Sequence, residues 1–253
     1  MRIAGMLPTS LQDYPGQISA VFFMQGCNFR CPYCHNPELI EKSCPKEAEV
    51  NNTDFYEENE IFSLLRERRD YLDGVVITGG EPTLQSNLCA FLQKVKGFGF
   101  KIKIDTNGSR PKVLHELLSE NTLDMVAWDY KLPVRRYHEL TVDADIAEKI
   151  NLTGRLLASA DLEVEIRTTM VPRLMKKEDL IKICQELSGY REESEERGNN
   201  CRFPDHYVLQ EFRPRQVLDS AFSSITPFPR KKMEEFSRLA EKYFDSVEVR
   251  GNV

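Results

Sequence analysis

Three of the seven cysteines stand within eight residues, as Cys27-Asn-Phe-Arg-Cys31-Pro-Tyr-Cys34. Steps of four and then three residues bring three thiolates to one side of a tight turn. Pro32 makes that segment a wrapped loop rather than a continuous helix. Chance places such a pattern in a chain of this cysteine content only about 0.005 times, so the spacing itself points to chemistry. Four thiolates close a tetrahedral zinc site or fully ligate an iron–sulfur cubane, whereas three thiolates on a four-iron cluster leave one iron open. Two other readings fit the same residues. One is a zinc site completed by Cys44 or His35. The other is haem attachment, because Cys31-Pro-Tyr-Cys34-His35 matches C-x-x-C-H, although that leaves Cys27 without a role.

Further polar residues fall after apolar runs. Gly79-Gly80-Glu81-Pro82 follows Val75, Val76 and Ile77. Adjacent glycines let a backbone approach a ligand that a Cβ would hold off, and they also serve ordinary turns. Asp105-Thr106-Asn107-Gly108 ends one apolar run and Asp129-Tyr130-Lys131 ends the next. Taken singly, Asn-Gly is a common turn and Asp129 with Lys131 a possible surface ion pair.

The elements that must position these groups are short β-rich runs alternating with amphipathic helical runs. Strands are expected at 18–24, 74–78, 101–105, 125–129, 163–170 and 207–212, with a seventh at 246–250. Helical stripes are Leu84, Leu88, Phe91, Leu92 and Val95; Val113, Leu114, Leu117 and Leu118 behind Pro111; Leu180, Ile183, Cys184 and Leu187; and Met233, Phe236, Leu239, Ala240 and Tyr243. Residues 57–71 and 143–159 are helical by propensity. Strand–helix repetition implies a parallel sheet with right-handed crossovers. Six units suit a partial (β/α)6 TIM-like barrel of the α/β class rather than the closed eight-fold form. In such a barrel, function collects at the C-terminal strand ends, and the cysteine loop, Gly79–Glu81, Asp105, Asp129, Arg167 and Arg213 all lie at or near such ends. One domain over 1–253 is expected, interrupted by a polar loop at 36–60 and a charged insertion at 189–205.

The chain has 253 residues with 34 Lys and Arg against 40 Asp and Glu, a net charge of −6. Its basic residues are interleaved with acidic ones, which argues against a phosphate-backbone partner. No apolar run approaches the ~20 residues of a membrane span. Seven cysteines without an export signal favour metal or redox chemistry in the cytoplasm over a disulfide framework.

Cys-x-x-x-Cys-x-x-Cys after one strand, with Gly79-Gly80-Glu81-Pro82 after the next, resembles the radical S-adenosylmethionine superfamily. The wording from Gly26 to Glu38 is similar to the glycyl-radical-enzyme activases. Thr9-Ser10-Leu11-Gln12-Asp13-Tyr14-Pro15-Gly16 narrows the likeness to activating proteins of anaerobic ribonucleoside-triphosphate reductase. The resemblance is strongest over 1–40 and 74–82 and weak beyond Pro172. It implies one [4Fe–4S] cluster on Cys27, Cys31 and Cys34, with S-adenosylmethionine on the open iron. It assigns the cofactor's amino group to the Gly79–Gly80 backbone and its carboxylate to Lys131, with Asp129 nearby. Tyr33, His35, Glu81, Thr106, Tyr130 and Arg167 complete the implied cofactor set, although strand alternation leaves the direction of Arg167 open. Asp105, Thr106 and Asp129 match positions that hold a monovalent cation in some relatives. The implied reaction uses an electron from a flavodoxin- or ferredoxin-type donor to cleave the cofactor and takes hydrogen from a glycine of a partner glycyl-radical enzyme. Two alternatives stand beside it: the same radical chemistry on a small molecule or nucleoside, and plain iron–sulfur electron carriage. Glu211-Phe212-Arg213-Pro214 departs from the relatives' pattern, which show histidine there. Cys44 is the only cysteine in the 36–60 loop, so a single cluster is expected.

Overall fold

Val, Ile and Phe fill the runs that enter the sheet, where branched and aromatic side chains pack well on a pleated surface. The computed structural model describes residues 1–40, 55–198 and 203–251. Among them, eight strands form a mostly parallel sheet ordered as in the sequence, the sheet of the partial-barrel α/β class. The residues group into two compact units.

The first unit comprises Met1–Asn28, Asn36–Thr106 and Lys112–Val126. It contains β1 (Ile3–Ser10), β2 (Ser19–Met24), α1 (Glu58–Glu67), β3 (Gly74–Gly79), α2 (Leu88–Gly97) and β4 (Lys101–Thr106). Most of α3 (Pro111–Ser119) belongs here, and β5 (Met125–Asp129) begins here. β2, β3 and β4 pair in parallel. β2 is buried at five of its six positions, as expected of a parallel strand covered on both faces. The register sets Met24 beside Gly79, so the cysteine loop and the glycine turn leave from neighbouring strand ends. α2 buries Leu88, Phe91, Leu92 and Val95. Leu84, expected on the same stripe, instead closes the short turn Pro82–Leu84, because Gln85 is extended and breaks the helix there.

β1 is a strand that sequence periodicity misses. Residues 1–16 read as polar and turn-rich, yet Ile3–Ser10 pairs antiparallel with β2. Gly5, Pro8 and Ser10 blur its alternation, and the pairing rather than the local pattern makes it a strand. Its anchor is Ile3, fully buried and bridged to Tyr56.

The second unit comprises Phe29–His35, Asn107–Pro111 and Ala127–Val253. After the end of β5 come α4 (Ile146–Ala158), β6 (Glu163–Met170), α5 (Lys177–Glu196), β7 (His206–Glu211), α6 (Arg230–Ala240) and β8 (Val247–Arg250). β6, β7 and β8 are parallel, with Met170 opposite Glu211. The expected charged insertion at 189–205 is corrected over its first part, since 189–196 continue α5. Tyr190 and Ser194 extend the stripe of Leu180, Ile183, Cys184 and Leu187 and bond to α4, to Asn151 Oδ1 at 2.7 Å and the Ala158 carbonyl at 2.7 Å. The exposed Arg191–Glu195 pair, four residues apart, accounts for the charge. Of the polar loop at 36–60, residues 41–54 lie outside the described residues, as do 199–202. No helix among the described residues is long and apolar enough to cross a membrane.

Candidate functional site

In the first unit the site is built from backbone. The Gly80 N–H donates to the Met24 carbonyl at 2.9 Å, and the Glu81 N–H to the Gly26 carbonyl at 2.7 Å. A Cβ on Gly80 would stand 2.1 Å from the Gly26 oxygen and 3.3 Å from the Cys27 nitrogen. Gly79 has φ +115°, a conformation L side chains rarely adopt, and a Cβ there would meet the Met24 nitrogen at 2.4 Å. The glycine pair therefore lets the turn press against the root of the cysteine loop.

Side chains pin this cradle from within. Glu81 is fully buried, and its Oε1 accepts from the Thr83 N–H at 3.1 Å, the Thr83 hydroxyl and the Thr106 hydroxyl at 2.8 Å. The carboxylate of Glu81 thus ties its own turn to the end of β4. Asp105, also at that end, accepts from the Thr78 hydroxyl at 3.1 Å and from the Lys103 ammonium.

In the second unit the site is built from charges. Cys34 N–H donates to the Cys31 carbonyl at 3.0 Å, closing the turn between two of the thiols. The loop is tethered by the Arg30 N–H to the Leu140 carbonyl at 2.7 Å, and the Asp219 N–H to the Pro32 carbonyl at 2.9 Å. His35 hydrogen-bonds through Nε2 to the Arg213 carbonyl at 2.8 Å and stacks on Phe212 at 6.3 Å. Asp129 is the hub: Arg167 Nε donates to one oxygen at 2.8 Å and Lys131 Nζ to the other at 3.4 Å. Burial alone would raise its pKa, but Arg167 and Lys131 overcome that and lower it to about 2. The Lys131 N–H in turn donates to the Tyr137 hydroxyl at 2.9 Å.

Tyr33 links the thiol loop to this hub. Its ring is buried and its hydroxyl has no hydrogen-bond partner among the described residues. Burial first, then the neighbouring Cys31, push its pKa well above the ordinary value, with Lys131 opposing and Asp129 adding to the rise. The hydroxyl therefore stays protonated, a buried donor within the electrostatic reach of Cys31, Lys131 and Asp129.

Among the residues expected from sequence, the first unit gathers Cys27, Gly79, Gly80, Glu81, Asp105 and Thr106, and the second gathers Cys31, Tyr33, Cys34, His35, Asp129, Lys131 and Arg167. Arg167 shares its β6 face with the site, which settles the direction alternation left open. Tyr130 is a correction: it is fully buried, and its hydroxyl donates to Glu186 on α5 at 2.8 Å. One step along the strand from Asp129 it faces the helices instead. Sequence reasoning missed Lys103 and Tyr137. The signal for Lys103 was there, a lysine alternating with Ile102 and Ile104 inside a strand.

None of Cys27, Cys31, Cys34, Cys89 and Cys184 is in a disulfide. Burial pushes the Cys184 thiol up to about 12, and burial with Glu116 and Glu120 raises Cys89. Both are bystanders by position. Cys44 and Cys201 lie outside the described residues.

The Radical SAM superfamily model matches residues 21–187 of this chain. The chain belongs to that superfamily. A Methanocaldococcus jannaschii protein named as a glycyl-radical enzyme activating enzyme is 33% identical over 98% of this chain and 95% of its own length. The pyruvate formate-lyase-activating enzyme of Streptococcus mutans is 34% identical over 68% of this chain and 66% of its own. These likenesses place this radical SAM enzyme in the activating-enzyme branch. Streptococcus suis SuiB bound to precursor peptide SuiA matches with a TM-score of 0.65 at 12% identity, covering 91% of this chain and 48% of that one. The radical SAM chain spans about half of that structure, and the likeness shows the fold alone.

A [4Fe–4S] cluster and S-adenosylmethionine are the cofactors of the family, and the residues here fit them. Among the described residues no three His, Cys, Asp or Glu form a group able to hold a single metal ion. A cubane needs no such convergence, because each thiolate takes its own iron. Within the second unit, the Tyr33 hydroxyl, buried and without a hydrogen-bond partner among the described residues, suits a polar ligand near Cys31 and the Asp129 pair.

Proposed function

We propose that Cys27, Cys31 and Cys34 hold one [4Fe–4S] cluster with an open iron, and that this radical SAM enzyme activates the anaerobic ribonucleoside-triphosphate reductase. When bound, the cluster and S-adenosylmethionine supply reductive C–S cleavage and removal of hydrogen from a backbone glycine. The chain's own residues bind and orient. The Gly79–Gly80 backbone receives the methionine amino group, and Lys131 meets its carboxylate. Asp129 holds Lys131 and Arg167 in place. The protonated Tyr33 hydroxyl donates to the cofactor. Glu81 and Thr106 keep the cradle closed from behind. No side chain is required as a general acid or base, so positioning and exclusion of water are the protein's contribution.

The observation that carries the cofactor site is Tyr33, a buried donor without a partner among the described residues, within the electrostatic reach of Cys31, Lys131 and Asp129. The activating role rests on a likeness that runs nearly end to end at 33% identity. The choice of reductase rests on the 9–16 segment. A flavodoxin- or ferredoxin-type protein supplies the electron in the cytoplasm, with neither nucleic acid nor membrane as partner. To test the reading, the anaerobically reconstituted protein is reduced and incubated with S-adenosylmethionine and the reductase. A doublet-split glycyl radical signal by electron paramagnetic resonance is expected. Deuterium placed at the target glycine should appear in 5′-deoxyadenosine. Deuterium arriving from a nucleoside or metabolite instead would sink the activase reading.

A further inference from the structure

Tyr137 sits in the turn that follows β5, a 3-10 helix over Val134–Glu139, and its side chain is fully buried. A buried tyrosine usually finds a partner for its hydroxyl. Here the partner is a backbone group: the hydroxyl accepts the Lys131 N–H at 2.9 Å. The ring meets Phe29 of the cysteine loop edge to face, with centres 6.0 Å apart. The turn touches that loop a second time, where the carbonyl of Leu140, its closing residue, accepts the Arg30 N–H at 2.7 Å. The turn is also anchored to what lies behind it. The Val134 N–H donates to Glu186 on α5 at 3.0 Å, and the same carboxylate oxygen takes the Tyr130 hydroxyl. Arg136 reaches Asp179 on α5 at 3.0 Å and the Leu174 carbonyl at 3.0 Å. One anchored element thus grips both the loop that carries Cys31 and Cys34 and the backbone of Lys131. Groups that must meet one ligand have to be held at a fixed spacing, and a small misplacement is costly.

We propose that Tyr137 is a positioning residue that sets Lys131 at a fixed distance from the cysteine loop and thereby tunes the affinity for S-adenosylmethionine. The proposal rests on the reading that Lys131 meets the cofactor's carboxylate. The ring gauges the loop and the hydroxyl gauges the lysine. Tyr137→Phe separates the two tasks, because it keeps the ring and removes the acceptor.

The experiment measures S-adenosylmethionine binding by calorimetry in anaerobically reconstituted wild type, Tyr137→Phe, Lys131→Ala and the double variant, with iron and sulfide counted in each. Tyr137→Phe should keep its cluster and bind roughly 3- to 10-fold more weakly, the worth of one neutral hydrogen bond. In the Lys131→Ala background the same change should cost less than about twofold, because no ammonium is left to place. Wild-type affinity in Tyr137→Phe, or an equal loss in both backgrounds, would overturn the proposal and leave the carboxylate reading standing. Wild-type affinity in Lys131→Ala would overturn that reading, and the proposal with it. If Tyr137→Phe does not fold or hold a cluster, Arg136→Gln serves instead, since it frees the same turn from Asp179 and the Leu174 carbonyl. It should weaken binding by about threefold or more, and only where Lys131 is present. Unchanged binding in Arg136→Gln, or a loss that persists without Lys131, would overturn the proposal.

Discussion

Two strand-end aspartates of this enzyme are answered by cations in opposite ways. Asp105, in the first unit, is met from inside its own strand by a lysine that solvent barely touches. Asp129, in the second, is met by Arg167 from the neighbouring strand and Lys131 just beyond its own, and is itself 33% exposed. The first arrangement fixes a wall. The second holds two cations in a set that remains open to a ligand. The same contrast runs through the rest of each unit. In the first unit the turn after β3 is set by close backbone approach at Gly26, Gly79 and Gly80, whereas in the second Asp129 is set by the side-chain charges of Arg167 and Lys131. Steric walls fail all at once; charge sets fail by degrees.

Gly80→Ala should therefore have the largest effect. Its Cβ has only backbone to meet, 2.1 Å away at Gly26, so the turn or the cysteine loop must move. S-adenosylmethionine binding by the reconstituted enzyme, followed by calorimetry, should fall by more than about 100-fold, which corresponds to about 2.8 kcal/mol. Binding within tenfold of wild type would show that the cradle yields, and would erase the contrast. Lys131→Ala comes next, with an intact cluster and affinity weaker by roughly 10- to 100-fold, the worth of one charge-assisted contact to a carboxylate. Equal affinity would reduce Lys131 to half of an ion pair with Asp129.

The smallest effect is a pH dependence. The folded-state pKa of Asp129, about 2, lies below the ordinary carboxylate value. Its contribution to stability is thus fully present above about pH 4 and is lost as pH falls toward 2. Asp129→Asn apoprotein should unfold at a lower temperature than wild type at pH 6, and that gap should shrink between pH 4 and pH 2. A gap constant over that range would mean that Arg167 and Lys131 do not stabilise the charged form.

Much of this was legible in residues alone. The spacing of Cys27, Cys31 and Cys34 stands out because it is a local property of the sequence. Strands β2 to β8 were readable because buried parallel strands are dense in branched apolar residues. β1 was not, since its partner across the hairpin rather than its own pattern makes it a strand. Tyr130 was placed in the site by adjacency to Asp129 and Lys131, when the alternation of a strand sends its ring to the helices. The charge of 189–196 hid a helix whose buried positions are the polar Tyr190 and Ser194. Glu81 reads like a ligand contact in sequence, and only the fold shows its carboxylate turned inward to Thr83 and Thr106.

The central claim is that three thiols of one loop, and no others, carry an open iron–sulfur cluster. Iron and acid-labile sulfide are counted in anaerobically reconstituted protein, and 5′-deoxyadenosine is measured after reduction with S-adenosylmethionine. Wild type and Cys89→Ala should each hold about four iron and four sulfide per chain and form 5′-deoxyadenosine, while Cys27→Ala, Cys31→Ala and Cys34→Ala should each form none. Stoichiometric zinc without sulfide in the wild type, or product that survives loss of any of the three cysteines, would contradict it.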